Sequence, residues 1–457
     1  MSMTPSQSFV LHRDLTHILP TAVGGDGPYI IDSDGKRYLD GSGGPGVSCL
    51  GHSHPCVVRA LRAQAEKLAY AWSGFFTNEP MEALAKLLVE VAPPGALSRA
   101  CFISSGSAAI EAALKLSRQF FIETGEPERT QFIARRASYH GNTLGALGVS
   151  GHQMRRDTYE PMIAASRFIA PCYPYRFQRP DETAEAYGAR AADELERAIV
   201  ETGPDRVAAF LAEPIVGGTA GALLPVLGYF ERVRSICDRY GVLLILDEVM
   251  CGMGRTGTMY AFEQENVAPD IVTVAKGLGA GYQPIAAMIA SKSVVDAIEN
   301  GSGKLRHGQT YMGHAIACAT ALAVLRAILD EDLLANVRAM GDALEKRLRD
   351  TFGNHPNVGE IRGRGLVWAL ELVKDRSTKE TFEAEHRLHA RVKAEAFRAG
   401  LLCYPGGGTA DGTSGDHILL APPYNVETHH LDELVDKLDT ALAGALSQVQ
   451  MKAQMKK

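Results

Sequence analysis

The sequence predicts an α/β protein with a large domain, built on a mostly parallel β-sheet, and a smaller α+β domain. Short, continuously apolar segments alternate with segments of helical periodicity over residues 60–334. Strands buried on both faces have this apolar character, because helices cover both sides of a parallel sheet. From residue 335 the pattern changes to long charged helices and a short strand, which indicates the second domain.

The N-terminal region contains a β-hairpin signal. Residues 28–32 and 36–40 flank Asp34-Gly35, and an Asp-Gly pair between two such segments is typical of a tight hairpin turn. The apolar spacing then becomes helical over residues 55–68. We expect this region to fold with the smaller domain.

The large domain contains five predicted strands, at residues 100–104, 131–134, 207–212, 242–246 and 271–275. A helix is predicted over residues 108–116, directly after the first of these strands. In the C-terminal part, a short strand at 368–372 follows the glycine-rich residues 362–365. The predicted division is residues 1–59 for the N-terminal part of the small domain, 60–334 for the large domain and 335–457 for the C-terminal part of the small domain.

Composition and charge exclude several classes of protein. The chain has 47 lysines and arginines against 53 aspartates and glutamates, with no basic stripe, so nucleic acid is not expected as a partner. No run of about 18 apolar residues occurs, so we expect no membrane span. The N-terminus lacks signal-peptide character, and the eight cysteines are scattered without a Cys-x-x-Cys pair. These features predict a cytoplasmic protein with free thiols.

The clearest local signal is a buried strand that ends in two carboxylates. The apolar residues 242–246 are followed by Asp247 and Glu248, at the end of a parallel strand where ligands bind. Nucleotide hydrolases share this pattern, but they also require a Gly-x-x-x-x-Gly-Lys-[Ser/Thr] loop. That loop does not occur in the chain, so nucleotide hydrolysis is not expected.

A Gly-x-Gly-x-x-Gly pattern follows at residues 252–257. One interpretation is a dinucleotide-binding loop, which leaves a nucleotide-binding oxidoreductase as an alternative from another class of protein. The other is a glycine-rich turn that leads the chain away from the strand. We favour the turn, because Asp247 and Glu248 lie between the strand and the glycines and would repel a pyrophosphate.

The next predicted strand ends at Lys276, which is followed by Gly277, Gly279 and Gly281. An isolated lysine in this position would normally cap a solvated loop. However, Lys276 and Asp247 end successive strands. A lysine that forms a Schiff base, together with an aspartate that keeps a ring nitrogen protonated, is the pair that pyridoxal phosphate requires.

Two further loops follow predicted strands. Ser105, Gly106 and Ser107 precede a helix, where free backbone N–H groups and the helix dipole favour a phosphate. A plain serine N-cap is the alternative. In the other loop, the ring of Tyr139, which precedes His140, is suited to stacking on a planar cofactor.

Taken together, these segments resemble the class III pyridoxal-phosphate-dependent aminotransferases, the ω-aminotransferase group of fold type I. The resemblance covers nearly the whole chain and rests on these motifs, in the family's order: Gly51-His52-Ser53-His54-Pro55, Ser105-Gly106-Ser107, Tyr139-His140-Gly141, Glu213-Pro214, Asp247-Glu248-Val249, the Lys276 segment, His307-Gly308-Gln309-Thr310-Tyr311, Arg362-Gly363-Arg364-Gly365 and Ala421-Pro422-Pro423. It implies a seven-stranded type of sheet in the large domain and a small domain from both termini. It also implies no metal, although His52 and His54 are potential ligands.

The resemblance implies a role for each matching residue. Lys276 forms the internal aldimine with pyridoxal 5′-phosphate and is the general base and acid of the proton shift, while Asp247 pairs with the pyridinium nitrogen. The other implied cofactor-binding residues are Ser105, Gly106 and Ser107 at the phosphate, Tyr139 and Val249 on opposite ring faces, His140 beside Tyr139, Glu213 near the O3′ oxygen, and Thr310 from the partner subunit of a homodimer. Whether dimers pair into tetramers stays open.

The sequence departs from the family at the acceptor site. Many relatives place a mobile arginine, which clamps the acceptor's carboxylate, where this chain has Gly412, and the 4-aminobutyrate enzymes place a glutamate where it has Gly218. Because an arginine–carboxylate contact is stronger than an ordinary hydrogen bond, its loss should weaken dicarboxylate acceptors such as 2-oxoglutarate, unless another arginine replaces it. The usual glutamate of the phosphate loop is Ala108.

The implied reaction is a ping-pong transamination from an amine or ω-amino acid to a keto acid, with pyruvate as the favoured acceptor. Trp72, Phe75 and Phe76 are candidates for the substrate channel, with a plain core cluster as the alternative. A different pyridoxal-phosphate reaction of the same fold, by an aminomutase or a decarboxylase, is the alternative within this class.

Overall fold

The computed structural model describes residues 8–455, and the side chains of residues 8–451. The first seven residues, on which the signal-peptide argument partly depends, lie outside the described residues. The strands are β1 (Ala22–Asp26), β2 (Tyr29–Asp32), β3 (Arg37–Asp40), β4 (Arg99–Ile103), β5 (Gln131–Arg135), β6 (Arg167–Ile169), β7 (Val207–Ala212), β8 (Leu243–Asp247), β9 (Ile271–Val274), β10 (Ala286–Ala290), β11 (Val358–Arg364), β12 (Val367–Leu372), β13 (Leu401–Leu402), β14 (Tyr404–Gly407) and β15 (Asp416–Leu420).

The helices are α1 (Gly43–Gly46), α2 (Pro55–Lys67), α3 (Glu79–Glu90), α4 (Gly106–Glu123), α5 (Leu144–Gly148), α6 (Gln153–Arg156), α7 (Pro174–Phe177), α8 (Ala184–Thr202), α9 (Tyr229–Tyr240), α10 (Lys292–Asn300), α11 (Ala315–Asp330), α12 (Leu333–Phe352), α13 (Leu388–Arg398) and α14 (Thr428–Met455). Within the described part of the chain, none of them combines the length and the apolar character needed to cross a membrane.

The central sheet has seven strands in the order β4-β10-β9-β8-β7-β5-β6. All of them run parallel except β10, which is antiparallel to both of its neighbours. The predicted mostly parallel sheet is therefore confirmed, and the five predicted strands correspond to β4, β5, β7, β8 and β9. Two strands of the sheet were not predicted from the sequence. Strand β6 has only three residues, and the alanine-rich residues Ala286–Ala290 of β10 have weak strand propensity.

Helices cover both faces of this sheet. Along β8 the side chains alternate, so that Leu244 packs in one apolar cluster with Ile236 of α9, while Ile245 packs in another with Ile110 of α4. Every residue of β8 is buried. This two-sided burial explains why the strand is continuously apolar up to its carboxylate end.

Two smaller sheets flank the central one. The N-terminal hairpin of β2 and β3 is confirmed, and β3 pairs in parallel with β13 from the C-terminal part of the chain. The other sheet has the order β11-β12-β15-β14. Both ends of the chain thus contribute to one sheet, while the domain boundaries after residues 59 and 334 stay predictions.

Candidate active site

The residues that follow β4, β5, β7, β8 and β9 line one cavity of about 540 Å³ at the carboxyl edge of the central sheet. Nine residues predicted for the site lie in its lining: Ser105, Gly106, Ser107, Tyr139, His140, Glu213, Asp247, Val249 and Lys276. Parallel strands bring their carboxyl ends to the same edge. Residues separated by up to 171 positions (276 − 105) in the sequence therefore meet in one place.

Lys276 occupies a constrained position at the end of β9. Its φ of 43° lies in the left-handed region, which residues with side chains rarely adopt. Burial lowers the pKa of Lys276, and the nearby carboxylates of Asp247 and Glu213 only partly oppose this effect. The interpretation of Lys276 as a cap on a solvated loop is therefore wrong, because its amine faces the cavity.

The Asp247 carboxylate is held by a histidine. Its Oδ2 lies 2.7 Å from His140 Nδ1, and both side chains are buried. Because a carboxylate only accepts, Nδ1 carries the proton and donates it. The other oxygen, Oδ1, accepts from the backbone N–H of Val249 at 3.0 Å. These bonds fix the direction of the carboxylate, and they give His140 a positioning role that the sequence did not indicate.

Glu213 joins two loops of the cavity. Its Oε1 accepts from the backbone N–H of Tyr139 at 3.1 Å, and its Oε2 accepts from that of Gly217 at 3.0 Å. Burial raises the pKa of Glu213. The residue thus holds the loop of the predicted stacking tyrosine against the loop that follows β7.

The N-terminus of α4 opens onto the same cavity. Ser105 Oγ accepts from the backbone N–H of Ala108 at 3.2 Å, so Ser105 is the N-cap. The N–H groups of Gly106 and Ser107 belong to the first helical turn, where no intrahelical acceptor exists. A Cβ at Gly106 would lie 3.1 Å from Val249 Cγ1, which shows how closely the backbone approaches the loop after β8.

This set of groups fits pyridoxal phosphate. The N-terminus of α4 suits the phosphate, the Asp247 carboxylate suits a protonated ring nitrogen, and the Lys276 amine suits the aldehyde. Tyr139 and Val249 both line the cavity, as required of residues predicted for the two faces of the ring. The buried Nε2 of His140 has no hydrogen-bond partner within the described residues.

Three predicted residues do not line the cavity of their own chain. Trp72 and Phe76 are 51% and 65% exposed, so the alternative that these aromatics are plain core is wrong for the single chain. Thr310 is also exposed, and its carbonyl accepts from Tyr70 Oη at 2.8 Å. Their predicted contribution to a site therefore depends on a second subunit and stays a prediction.

The glycine-rich residues 252–257 form a buried turn that contributes nothing to the cavity. A Cβ at Gly254 would lie 3.0 Å from Leu334 Cδ2, and one at Gly257 would lie 2.7 Å from Arg338 Cγ. Both neighbours belong to α12. The structure thus agrees with a turn that packs against the C-terminal part of the chain.

One potential metal-ligand group occurs among the described residues. The ligand atoms of His54, Cys56 and Glu331 lie within 4.8 Å of one another. None of these three residues lines the cavity that contains Lys276. The expectation that the protein needs no metal stays a prediction.

Several residues that line the cavity were not predicted from the sequence, among them the polar residues Arg13, Arg155 and Tyr404. No motif marks them, because they come from the N-terminal segment, the short helix α6 and the strand β14. Tyr404 explains the glycine at position 218, since a Cβ there would lie 2.9 Å from Tyr404 Cε1.

Comparison with known proteins identifies the family. The family described as "Aminotransferase class-III" matches residues 10–442. The chain is 44% identical to an uncharacterized aminotransferase of Schizosaccharomyces pombe, over 96% of both proteins. The chain belongs to the class III aminotransferases.

Two further similar proteins, both transaminases, extend the comparison. The gamma aminobutyrate transaminase 3 of Solanum lycopersicum is 35% identical, over 94% of this chain and 82% of that protein. An amine transaminase from an uncultivated Pseudomonas species, solved in its PLP-bound form, is 36% identical with a TM-score of 0.87, over 93% of this chain and 95% of that one. Class III aminotransferases are enzymes of fold type I, so the oxidoreductase alternative is wrong.

Proposed function

We propose that this class III aminotransferase uses pyridoxal phosphate to transfer an amino group from an amine or ω-amino acid to a keto acid, with pyruvate favoured, in a ping-pong mechanism. The observation that carries the proposal is the meeting of Lys276 and Asp247 at one cavity. The N-terminus of α4 and the Tyr139 and Val249 side chains lie at the same cavity, which supports a phosphorylated, planar cofactor.

Lys276, Asp247 and His140 have separate roles in the proposed reaction. When bound, pyridoxal phosphate supplies an electron sink next to the amine carbon. Lys276 Nζ removes and returns the proton at that carbon, and its lowered pKa keeps a larger fraction of the amine unprotonated for this purpose. Asp247, oriented by His140 Nδ1, holds a negative charge against the ring nitrogen.

The acceptor is proposed to be a small keto acid. A Cβ added at Gly218 would lie 2.9 Å from Tyr404 Cε1, and one added at Gly412, where φ is +94°, would lie 3.6 Å from Gln153 Cβ. Neither position offers the charged switch that other family members use for dicarboxylates. This arrangement favours pyruvate over 2-oxoglutarate.

A homodimer and a cytoplasmic location complete the proposal. Large apolar side chains are exposed on the single chain at Phe9, Val10, Leu11, Leu15, Ile18, Leu19, Trp72, Phe75, Phe76 and Tyr311. Apolar exposure on this scale is typical of a subunit interface, and it includes the surroundings of Thr310. All eight cysteines are free, in keeping with a reducing compartment.

Borohydride reduction followed by peptide mapping tests the proposed function. We expect the purified holoenzyme to carry a reduced cofactor adduct on Lys276 and on no other lysine. A panel of amines, with pyruvate or 2-oxoglutarate as acceptor, then measures the substrate range by the recovery of the cofactor's visible absorbance. A reduced enzyme without an adduct at Lys276 would overturn the proposal, and faster turnover with 2-oxoglutarate would overturn the choice of acceptor.

A further inference from the structure

Arg155 lines the cavity, and no carboxylate of the described residues forms an ion pair with it. The guanidinium carbon of Arg155 is 4.6 Å from the centre of the Tyr139 ring. Its Nε is buried without a hydrogen-bond partner among the described residues. An arginine presents several N–H donors in a planar fork, so donors are available here for a ligand.

The neighbouring arginine shows the contrast. Arg156 donates to the carbonyls of Leu147, Gly148 and Ser150 at 2.9 to 3.0 Å, and it pairs with Glu160 at 3.1 Å. Those contacts account for Arg156 as a structural residue that fixes α6. Within the part of the chain that the structure describes, Arg155 has no such set of carbonyl partners, although it lies on the same short helix.

The carboxylates of the cavity do not neutralise Arg155. Asp247 is engaged by His140 Nδ1, and Glu213 accepts from two backbone N–H groups. The phosphate is not the natural partner either, because the N-terminus of α4 already offers a phosphate site at Gly106 and Ser107. Arg155 is therefore available to bind a further anion in the cavity.

The charge of Arg155 affects the pKa of the Lys276 amine. This charge contributes to lowering the pKa of Lys276, after the larger effect of burial. A Cβ added at Gly412 would lie 3.6 Å from the backbone nitrogen of Gln153, so the loop that contains Gly412 passes close to the helix that carries Arg155. The guanidinium thus lines the same cavity as Lys276 and lies against the Tyr139 ring.

We propose that Arg155 binds the carboxylate of the keto-acid acceptor and thereby determines specificity for keto acids over uncharged carbonyl compounds. This inference rests on the proposed transaminase function. A keto acid carries its carboxylate beside the reacting carbonyl, so a cation near Lys276 holds that carbonyl at the amine. An uncharged amine donor has no group for Arg155 and does not use it.

The two half-reactions of the holoenzyme separate this role from others. In Arg155→Met, we expect the KM for pyruvate to rise by about 10- to 100-fold, because a hydrogen bond to a charged group is lost. The half-reaction with 1-phenylethylamine, followed by cofactor absorbance, should stay within about threefold of the unmodified enzyme. Arg155→Lys should restore part of the pyruvate affinity, and Arg326→Met, which removes an exposed arginine outside the cavity, should change neither value.

A binding measurement removes the dependence on turnover. Propanoate has a carboxylate but no reacting carbonyl, and it should raise the Tm of the holoenzyme but not that of Arg155→Met. Equal losses in both half-reactions would overturn the inference, because they would mean that Arg155 positions Tyr139 or binds the cofactor. An unchanged KM for pyruvate would overturn it as well. A wild-type holoenzyme whose cofactor reacts with no amine would instead overturn the proposed function.

Discussion

Two features of Lys276 are energetically unfavourable: its left-handed φ of 43° and the burial of its amine. Backbone strain and buried charge are both retained at functional sites because the reaction needs them. The ordinary pKa of lysine is about 10.4, and in the folded chain the pKa of Lys276 is lower. Protonation of Lys276 is therefore less favourable in the folded apoprotein than in the unfolded chain. This difference lowers the free energy of unfolding when the pH lies below the lowered pKa.

Replacing the amine should stabilise the protein without cofactor. We expect apo Lys276→Met to be more stable than the unmodified apoprotein by about 1 kcal/mol at pH 7. The gain should shrink as the pH rises through the lowered pKa and vanish above about 10.4, where the amine is neutral in both folded and unfolded chains. Thermal unfolding of both apoproteins across this range measures the effect. Lys292→Met, at an exposed lysine paired with Asp296, is the control, and an equal gain there would contradict the explanation.

The proposed role of Asp247 depends on its negative charge. Asn at this position keeps one acceptor oxygen for the Val249 N–H and loses the negative charge. Its amide nitrogen replaces the oxygen that accepts from His140 Nδ1, so the imidazole must carry its proton on Nε2 to keep that hydrogen bond. We expect Asp247→Asn to lower turnover by about 10²- to 10³-fold, because the charge opposite the ring nitrogen is removed. Its Tm should change little, as measured by thermal unfolding of the holoenzyme. A loss of less than about fivefold would contradict the proposed charge pairing.

At the scale of elements, the site depends on the close approach of the loop after β5 to the N-terminus of α4. Gly141 has a φ of +145°, and a Cβ there would lie 2.5 Å from Ser107 Oγ. Gly125, at the other end of α4, has a φ of +82° with nothing within 4 Å of the added atom. The two glycines thus separate backbone strain from crowding of the phosphate site.

Alanine substitutions at these glycines should differ in cofactor affinity. Gly125→Ala should cost only the backbone strain, about 1 kcal/mol of stability, with normal cofactor binding. Gly141→Ala adds overpacking worth about 1–3 kcal/mol, which should weaken cofactor binding by about tenfold or more. Titration of the two apoproteins with pyridoxal phosphate gives the affinities. Equal affinities would show that the Gly141 loop does not shape the phosphate site.

Most strands of the central sheet could be predicted from the sequence. Strands β4, β5, β7, β8 and β9 were predicted within one residue or so, because burial on both faces makes them continuously apolar. The three-residue strand β6 and the reversed strand β10 were missed. The short apolar segment of β10, with three alanines, one methionine and one isoleucine, fits a helix as well as a strand. The role of His140 was missed as well, because its partner Asp247 is 107 positions away.

At the scale of the whole molecule, the proposed dimer rests on the exposed aromatic and aliphatic side chains around residues 9–19 and 72–76. The proposed dimer places Thr310 of one chain at the other chain's site. We therefore expect the purified protein to have the mass of a dimer by light scattering. A monomer with full activity would contradict the proposed interface.

Complementation between two inactive variants tests the shared site. Lys276→Ala removes the amine, and Thr310→Glu places a negative charge where the phosphate is expected. If Thr310 acts across the interface, a mixed dimer contains one site with both changes and one intact site. Random mixing by unfolding and refolding should then restore about a quarter of the wild-type activity. No recovery above that of the separate variants would mean that Thr310 does not act across the interface.

The sequence by itself determined the α/β class and the presence of Asp247 and Lys276 at the ends of successive predicted strands. Both results follow from local features, namely the apolar periodicity and the residues directly at strand ends. Only the tertiary structure decided that His140 holds Asp247, that Tyr404 fills the space beside Gly218, and that Arg155 enters the cavity. The physical reason is that such contacts join segments far apart in the chain, and neither local periodicity nor a short motif specifies which distant side chains share a cavity.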